Sequence, residues 1–332
     1  MVLNLDSVFL GGHHAVADQG FRPQLERESA RKQAAQRLLQ AMLGQGSLRD
    51  WHKTLDILAP DAHLSRLQQQ GFDKKASLHL KWLSKDMNEH DSYMADFMTV
   101  FQPLERWGPG SDADSLRALA AVPGRPSAAL DIGCGKGLAT LLLARESRAR
   151  ITAVDNEGTA LEALALRAAQ QGLADRVTTV CASMTELPFA DASFDLLWSE
   201  GAAYIMGIEN ALEQWRRLLK PGGVLVLSDL VWLTDTPTAD TEAFWQREYP
   251  DMQSVATRVR QMASADYEVL SHFTLSQRAW ENYSRPLKAR IEALRDTLPG
   301  SAALADITTE VDLYEHHLDQ FGYQMFVLRL LP

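Results

Sequence analysis

Gly133, Gly135 and Gly137 alternate directly behind a short apolar run, Ala129 to Ile132, and ahead of a helical stretch, Leu138 to Glu146. An apolar run of that length reads as a buried strand. Alternate glycines let the chain turn sharply and let a ligand approach main-chain N–H groups with no Cβ in the way. The helix N-terminus that follows favours polar or anionic ligand groups. Strand, turn and helix together describe a nucleotide-type site at the carboxyl end of a strand. The spacing argues against a dinucleotide, which needs G-x-G-x-x-G, because Leu138 stands where the third glycine belongs. An acidic residue, Asp131, sits inside the strand end.

A second acid completes the pattern. Arg150 to Val154 is another apolar run and ends in Asp155. A carboxylate there offers two acceptor oxygens, which suits the paired hydroxyls of a ribose. Ala160 to Gly172 reads as a helix with Leu161, Leu164, Ala165 and Ala168 on one face. Val177 to Cys181 reads as a third strand, followed by a loop from Ser183 to Phe189. Phe194 to Ser199 reads as a fourth strand with Glu200 at its end. Leu218 to Gly223 reads as a helix stop and a turn, and Val224 to Ser228 as a fifth strand. Strands alternating with helices in this order specify a parallel α/β sheet.

The stretch Asp131 to Gly137 resembles motif I of class I S-adenosylmethionine-dependent methyltransferases. From about Phe101 to Leu331 the chain is similar to small bacterial members of the UbiE-like broad group. The likeness is carried by Gly108-Pro109-Gly110-Ser111, Trp198-Ser199-Glu200-Gly201-Ala202, Lys220-Pro221-Gly222-Gly223, Trp232, Trp280, Tyr283 and Phe321-Gly322-Tyr323. It implies a Rossmann-like, seven-stranded sheet with helices on both faces, and S-adenosylmethionine as cofactor. The implied cofactor contacts are Gly110, Asp131, Gly133, Gly135, Gly137, Asp155, Ser183, Met184 and Glu200. Many members carry an acid where Ser183 stands; Met184 would pack on the adenine ring.

Methyl transfer from a sulfonium is an in-line displacement with a neutral leaving group, so it needs no acid. A base is needed only where the acceptor must lose a proton. Glu200 either binds the methionine amino group or acts as that base. Tyr204 either lines the pocket or orients the acceptor. Trp232, Tyr249, Trp280 and Tyr283 are candidate acceptor contacts. Eight tryptophans suit a small, partly apolar acceptor, and they also suit ordinary helix packing.

The elements that must position these residues divide the chain in two. Residues 1–100 read as an N-terminal helical segment, with helices over Arg22 to Leu43, Leu48 to Leu58, Asp61 to Gln70 and Lys74 to about Phe101. Their apolar stripes pack on the catalytic domain or on a second subunit, and a homodimer through them is the expected assembly. Residues 101–332 form the methyltransferase domain. Thr238 to Tyr249 and Met252 to Ala263 read as helices, Tyr267 to Leu275 as a sixth strand and Tyr323 to Leu330 as a seventh. The helical stretch between them, about 276–320, reads as a lid.

Composition narrows the partners. A net charge of −10 argues against a phosphate-binding surface, hence no nucleic acid is expected. No apolar stretch is long enough to span a bilayer, and Met1 to Gly12 lacks the basic start of a signal peptide. Two cysteines imply no disulfide framework and suit the cytoplasm. The histidine pairs His13-His14 and His316-His317 lack the spacing that puts two rings on one helix face, so no metal is expected. Two other readings use the same motifs: a protein that binds the cofactor without transfer, and a nicotinamide-dependent oxidoreductase.

Overall fold

Runs of buried aliphatic residues build the centre of the molecule. The computed structural model describes residues 92–332. The helices expected over Arg22 to Gln70, and the homodimer contact expected through them, lie outside the described residues. α1 covers 92–101. It is followed by α2 (Asp112–Ala120), β1 (Ala128–Ile132), α3 (Leu138–Glu146), β2 (Arg150–Asp155), α4 (Gly158–Gln170), β3 (Val177–Cys181) and β4 (Phe194–Glu200). Then come α5 (Ile208–Trp215), β5 (Leu219–Trp232), α6 (Ala239–Glu248), β6 (Gln253–Ser254), α7 (Val255–Ser264), β7 (Tyr267–Thr274), α8 (Gln277–Leu294), α9 (Ala302–His316) and β8 (Phe321–Leu330).

The strand order is β3-β2-β1-β4-β5-β8-β7. β1 to β5 run parallel, because each intervening stretch returns the chain to the same end of the sheet. β8 pairs antiparallel with both β5 and β7. The seven-stranded sheet that the resemblance implies is therefore present. An eighth, short strand joins it where Gln253 and Ser254 pair with Val231 and Trp232.

The sheet is buried on both faces: Leu130, Ile132, Leu197, Leu225, Leu227 and Phe326 line one, and Ala129, Leu196, Trp198, Val226 and Val327 the other. Helix α5 covers one face through Ile208, Ala211, Leu212 and Trp215, which recur at helical spacing. The fifth strand is much longer than the expected Val224 to Ser228. Lys220-Pro221-Gly222-Gly223 reads as a turn; it lies inside the span of β5 but has no partner in the ladder, which resumes at Val224. Leu219 pairs with Phe194, and a register shift follows before Leu196. Gly222, at φ +73°, absorbs the irregularity. At its other end β5 is extended by pairing of Asp229 to Trp232 with Gln324 to Phe321. α2 starts at Asp112, where the Ser111 side chain caps it by accepting from Asp114 N. Among the described residues no helix is long and apolar enough to cross a membrane.

Candidate active site

The chain runs from β1 outward through β2 and β3, then returns to lay β4 and β5 on the opposite side of β1. The carboxyl ends of β1 and β4 thus border a switch point, where such sheets open a crevice. Gly133, Gly135 and Gly137 lie there at φ +70°, +50° and +75°. Their uses differ. A Cβ on Gly133 would stand 2.4 Å from the Ala202 Cβ, so this glycine lets the loop after β4 close on the loop after β1. A Cβ on Gly137 would stand 2.2 Å from Leu164 Cδ1, so this one lets α4 pack against the turn. A Cβ on Gly135 would meet nothing within 4 Å, so here alone the backbone borders open space.

The loop's N–H groups correct one expectation. Gly133 and Cys134 donate to the Val154 carbonyl at 2.8 and 3.0 Å, and Gly137 donates to the Cys134 carbonyl at 2.9 Å. Gly135 donates to Asp155 Oδ2 at 2.8 Å. These groups are engaged within the protein, so the glycines shape a cradle and do not present a row of free donors. Asp155 also accepts from Glu157 N through Oδ1 at 2.9 Å. Both oxygens are thereby oriented at the end of β2, and each retains a further lone pair for a ligand hydroxyl.

Asp131, an expected cofactor contact, has one carboxylate oxygen engaged within the protein. It is buried, and Oδ2 accepts from Thr140 Oγ1 at 2.5 Å, tying β1 to α3. Burial raises its pKa to about 7 against the opposing Thr140 hydrogen bond, with help from the nearby Glu200 and Asp155 charges. Ser183 is exposed and forms a local turn, accepting from Thr185 N at 3.2 Å. Met184 reaches the glycine loop, its Cε 3.7 Å from where a Gly133 Cβ would be. Trp215 Nε1 fixes its carbonyl at 3.0 Å.

Glu200 sits at the end of β4 with one oxygen held twice. Ser115 Oγ donates to Oε1 at 2.6 Å and Trp198 Nε1 donates to it at 2.9 Å. Trp198 and Glu200 alternate along the strand and so share a face. The other oxygen, Oε2, lies 3.3 Å from where a Gly110 Cβ would be, and the Arg106 guanidinium crowds the same point. Gly110 is thus the gap between Arg106 and Glu200. It donates to the Ala279 carbonyl at 3.2 Å and its carbonyl accepts from Asn282 Nδ2 at 3.1 Å, which ties this loop to α8. Burial pushes the Glu200 pKa up, against the Ser115 and Trp198 hydrogen bonds and the Arg106 charge. Ser115 and Arg106 are not singled out by the sequence; both precede β1 and carry no motif.

The candidate acceptor contacts gather farther along the sheet. Tyr249, the residue that ends α6, is fixed by a buried charge network. Its hydroxyl donates to Asp229 Oδ1 at 2.8 Å and accepts from Arg258 Nη2 at 2.8 Å. Arg258 Nε donates to Asp229 Oδ2 at 2.7 Å, with both side chains fully buried. The Tyr249 ring meets the Tyr204 ring edge-on, with centroids 5.6 Å apart. Trp280 and Tyr283, on α8, join Tyr314 of α9 and Phe321 and Tyr323 of β8 in one aromatic cluster. Trp232 ends β5, half-buried, opposite Phe321. Arg258 is the residue the sequence hides most completely, being one of several arginines on a polar-looking helix.

Residues 130–227 match the family described as "Methyltransferase domain". Methyltransferase GfsG of Streptomyces halstedii is 35% identical over 119 residues, covering 35% of this chain and 43% of that protein. The ubiquinone/menaquinone biosynthesis C-methyltransferase UbiE of Brucella anthropi is 39% identical over 114 residues, covering 33% of this chain and 43% of that protein. The chain therefore spans less than half the length of these relatives. A SAM-dependent methyltransferase from Geobacter sulfurreducens, solved in complex with S-adenosyl-L-homocysteine, superposes with a TM-score of 0.60 at 20% identity, over 70% of this chain and 96% of that one. The fold is that of the class I methyltransferases. The family match ends inside β5, ahead of α6 to α9 and the aromatic cluster.

Proposed function

We propose that this chain, whose residues 130–227 are a methyltransferase domain, transfers a methyl group from S-adenosylmethionine to a small-molecule acceptor by in-line displacement. One observation carries the reading. The open backbone at Gly135 lies directly beside the oriented carboxylate of Asp155, and the two are joined by a hydrogen bond. That pairing fits a nucleoside: flat space over the main chain, and acceptor lone pairs for two adjacent hydroxyls. When bound, the donor supplies a methyl group on a positively charged sulfur, which departs as a neutral thioether.

The remaining roles follow from position. Met184, held above the glycine loop, packs on the adenine face, and Ser183 sits at the loop's exposed rim. Glu200 directs Oε2 toward Gly110, because Ser115 and Trp198 occupy Oε1. From there it pairs with the donor's ammonium group or accepts the acceptor's proton. Tyr204, edge-on to Tyr249, lines the acceptor side. The main demand is alignment of acceptor, methyl and sulfur, and that alignment supplies at best about 7–11 kcal/mol. The reading extends to a cytoplasmic enzyme, supported by two free thiols, Cys134 and Cys181, and to an acceptor other than nucleic acid, supported by the acidic charge. It also extends to a homodimer, which light scattering would check.

Thermal denaturation with S-adenosylmethionine, S-adenosylhomocysteine and a nicotinamide dinucleotide tests the cofactor. A ligand at about 100 times its Kd stabilises by about 2.7 kcal/mol. The first two should give that shift and the third none. Incubation with methyl-labelled donor and pooled acceptors then separates transfer from mere binding. A shift with no labelled product from any acceptor pool would favour a binding protein.

A further inference from the structure

We propose that the segment Gly110 to Ser115 couples the donor site to α8, so that donor binding at Gly110 and Glu200 fixes the start of the helix that carries Trp280 and Tyr283. Asp114 and Asn282 are the positioning residues of that link. The inference rests on the methyltransferase reading, with Gly110 and Glu200 as donor contacts.

One short segment is held from two sides. It runs from the loop before α2 into the first turn of that helix. On one side it meets the acid. Ser115 Oγ donates to Glu200 Oε1 at 2.6 Å, and Gly110 fills the gap between Glu200 Oε2 and the Arg106 guanidinium. On the other side it meets α8. Asp114 Oδ2 accepts from Ser276 Oγ at 2.7 Å, and Ser276 N lies 3.3 Å from each Asp114 oxygen. Gly110 spends both main-chain groups there, donating to the Ala279 carbonyl at 3.2 Å and accepting from Asn282 Nδ2 at 3.1 Å. Ser276 is the N-cap of α8, and Trp280 and Tyr283 follow it within two turns.

The segment moves as a unit. Ser111, Asp114 and Ser115 are each less than a tenth exposed. Ser111 Oγ donates to Asp114 Oδ2 at 2.6 Å and accepts from Asp114 N at 3.1 Å, which closes the turn. Asp114, turned to α8, and Ser115, turned to Glu200, are therefore neighbours on one closed turn. A Cβ at position 110 would stand 2.5 Å from Arg106 Nη1, so here bare backbone makes the contact. A ligand shifts such an arrangement by its differential affinity for the docked and undocked forms. A donor that uses Glu200 and Gly110 where α8 holds them favours the docked form. By reciprocity, a docked α8 raises donor affinity by the same factor.

Amide hydrogen exchange and calorimetry on the full chain test this, with S-adenosylhomocysteine as the probe. Saturation should slow exchange at amides 280–284 by about fivefold or more beyond the slowing common to the sheet strands. The double variant Ser276→Ala/Asn282→Ala should lose most of that extra slowing, and its Kd for S-adenosylhomocysteine should rise by a matching factor. Ser276→Thr keeps the hydroxyl and should behave as the unaltered chain does. A merely structural tie would speed α8 exchange equally with and without ligand and leave the Kd unchanged, and that result would overturn the proposal. So would an unaltered chain that binds the ligand with no extra slowing at 280–284. If the double variant fails to fold, Asn282→Ala alone decides, because Asn282 is exposed: loss of the extra slowing supports the link, and retention overturns it. Failure of S-adenosylhomocysteine to bind the unaltered chain would instead remove the methyltransferase reading itself.

Discussion

The two ends of the proposed reaction site are made of different material. The donor side is backbone: Gly133 to Gly137, with Asp155 one helix and one strand later, all within the first two parallel strands. The acceptor side is made of side chains, drawn from β5, α6, α7, α8, α9 and β8. Backbone shape needs glycine at stated positions, so it leaves a short, local signature. A pocket of side chains needs only the right atoms at the end of a long chain path, so it leaves none. The proposed donor side therefore falls within residues 130–227, the stretch that matches the methyltransferase-domain family. The proposed acceptor side draws mostly on residues beyond that stretch.

Breaking the donor side should do the most damage. Gly137→Val places side-chain atoms inside Leu164 at a positive φ, so both the melting temperature and cofactor binding should collapse together. Circular dichroism and calorimetry on one preparation would show it. A variant that melts like the parent would mean the turn has another conformation.

On the acceptor side the largest loss should come from Arg258→Met. It leaves Asp229 buried without its cation, which costs roughly 3–5 kcal/mol. Urea midpoints measure this, and a drop of less than about 1 kcal/mol would mean that water reaches Asp229. Glu200→Gln bears on the boundary between the two sides. As a base, Glu200 should contribute about 100-fold to kcat, with donor affinity and melting temperature little changed. As an ammonium partner, it should instead raise the donor Kd. Equal kcat and Kd in the variant would remove it from both roles.

The effect smallest at any one pH step is a trend at Asp131. Its folded pKa, about 7, lies above the ordinary 3.8 because it is buried. The associated stability is full below about pH 4 and is lost as pH rises toward 7, by no more than about 1.4 kcal/mol per pH unit. Asp131→Asn should flatten that slope in denaturation midpoints taken from pH 4 to 8. A parent protein equally stable across the range would contradict the assignment.

The same contrast explains what was legible. β1 to β4 fall within a residue of the expected bounds, because a buried parallel strand is a bare apolar run ended by turn residues. β5 reads shorter in the sequence because Pro221 and two glycines look like a stop, while its start at Leu219 depends on pairing with Phe194, a partner the local sequence does not show. Tyr249, Trp280 and Tyr283 stood out as aromatics on inserted helices. Their companion Tyr314 did not, since it stands on another helix. Asp131 stood out by its place in the motif, while its bond to Thr140 on α3 did not, since nothing local marks that pairing.

Calorimetric titration of S-adenosylhomocysteine into Gly135→Val tests the donor cradle most directly, because a side chain there would meet no protein atom within 4 Å of its Cβ, with Gly135→Ala as the control for strain at φ +50°. A folded variant that gives no binding heat, beside an unaltered chain that binds one equivalent, is the predicted result. A folded variant that binds as tightly as the unaltered chain would contradict the placement of the donor.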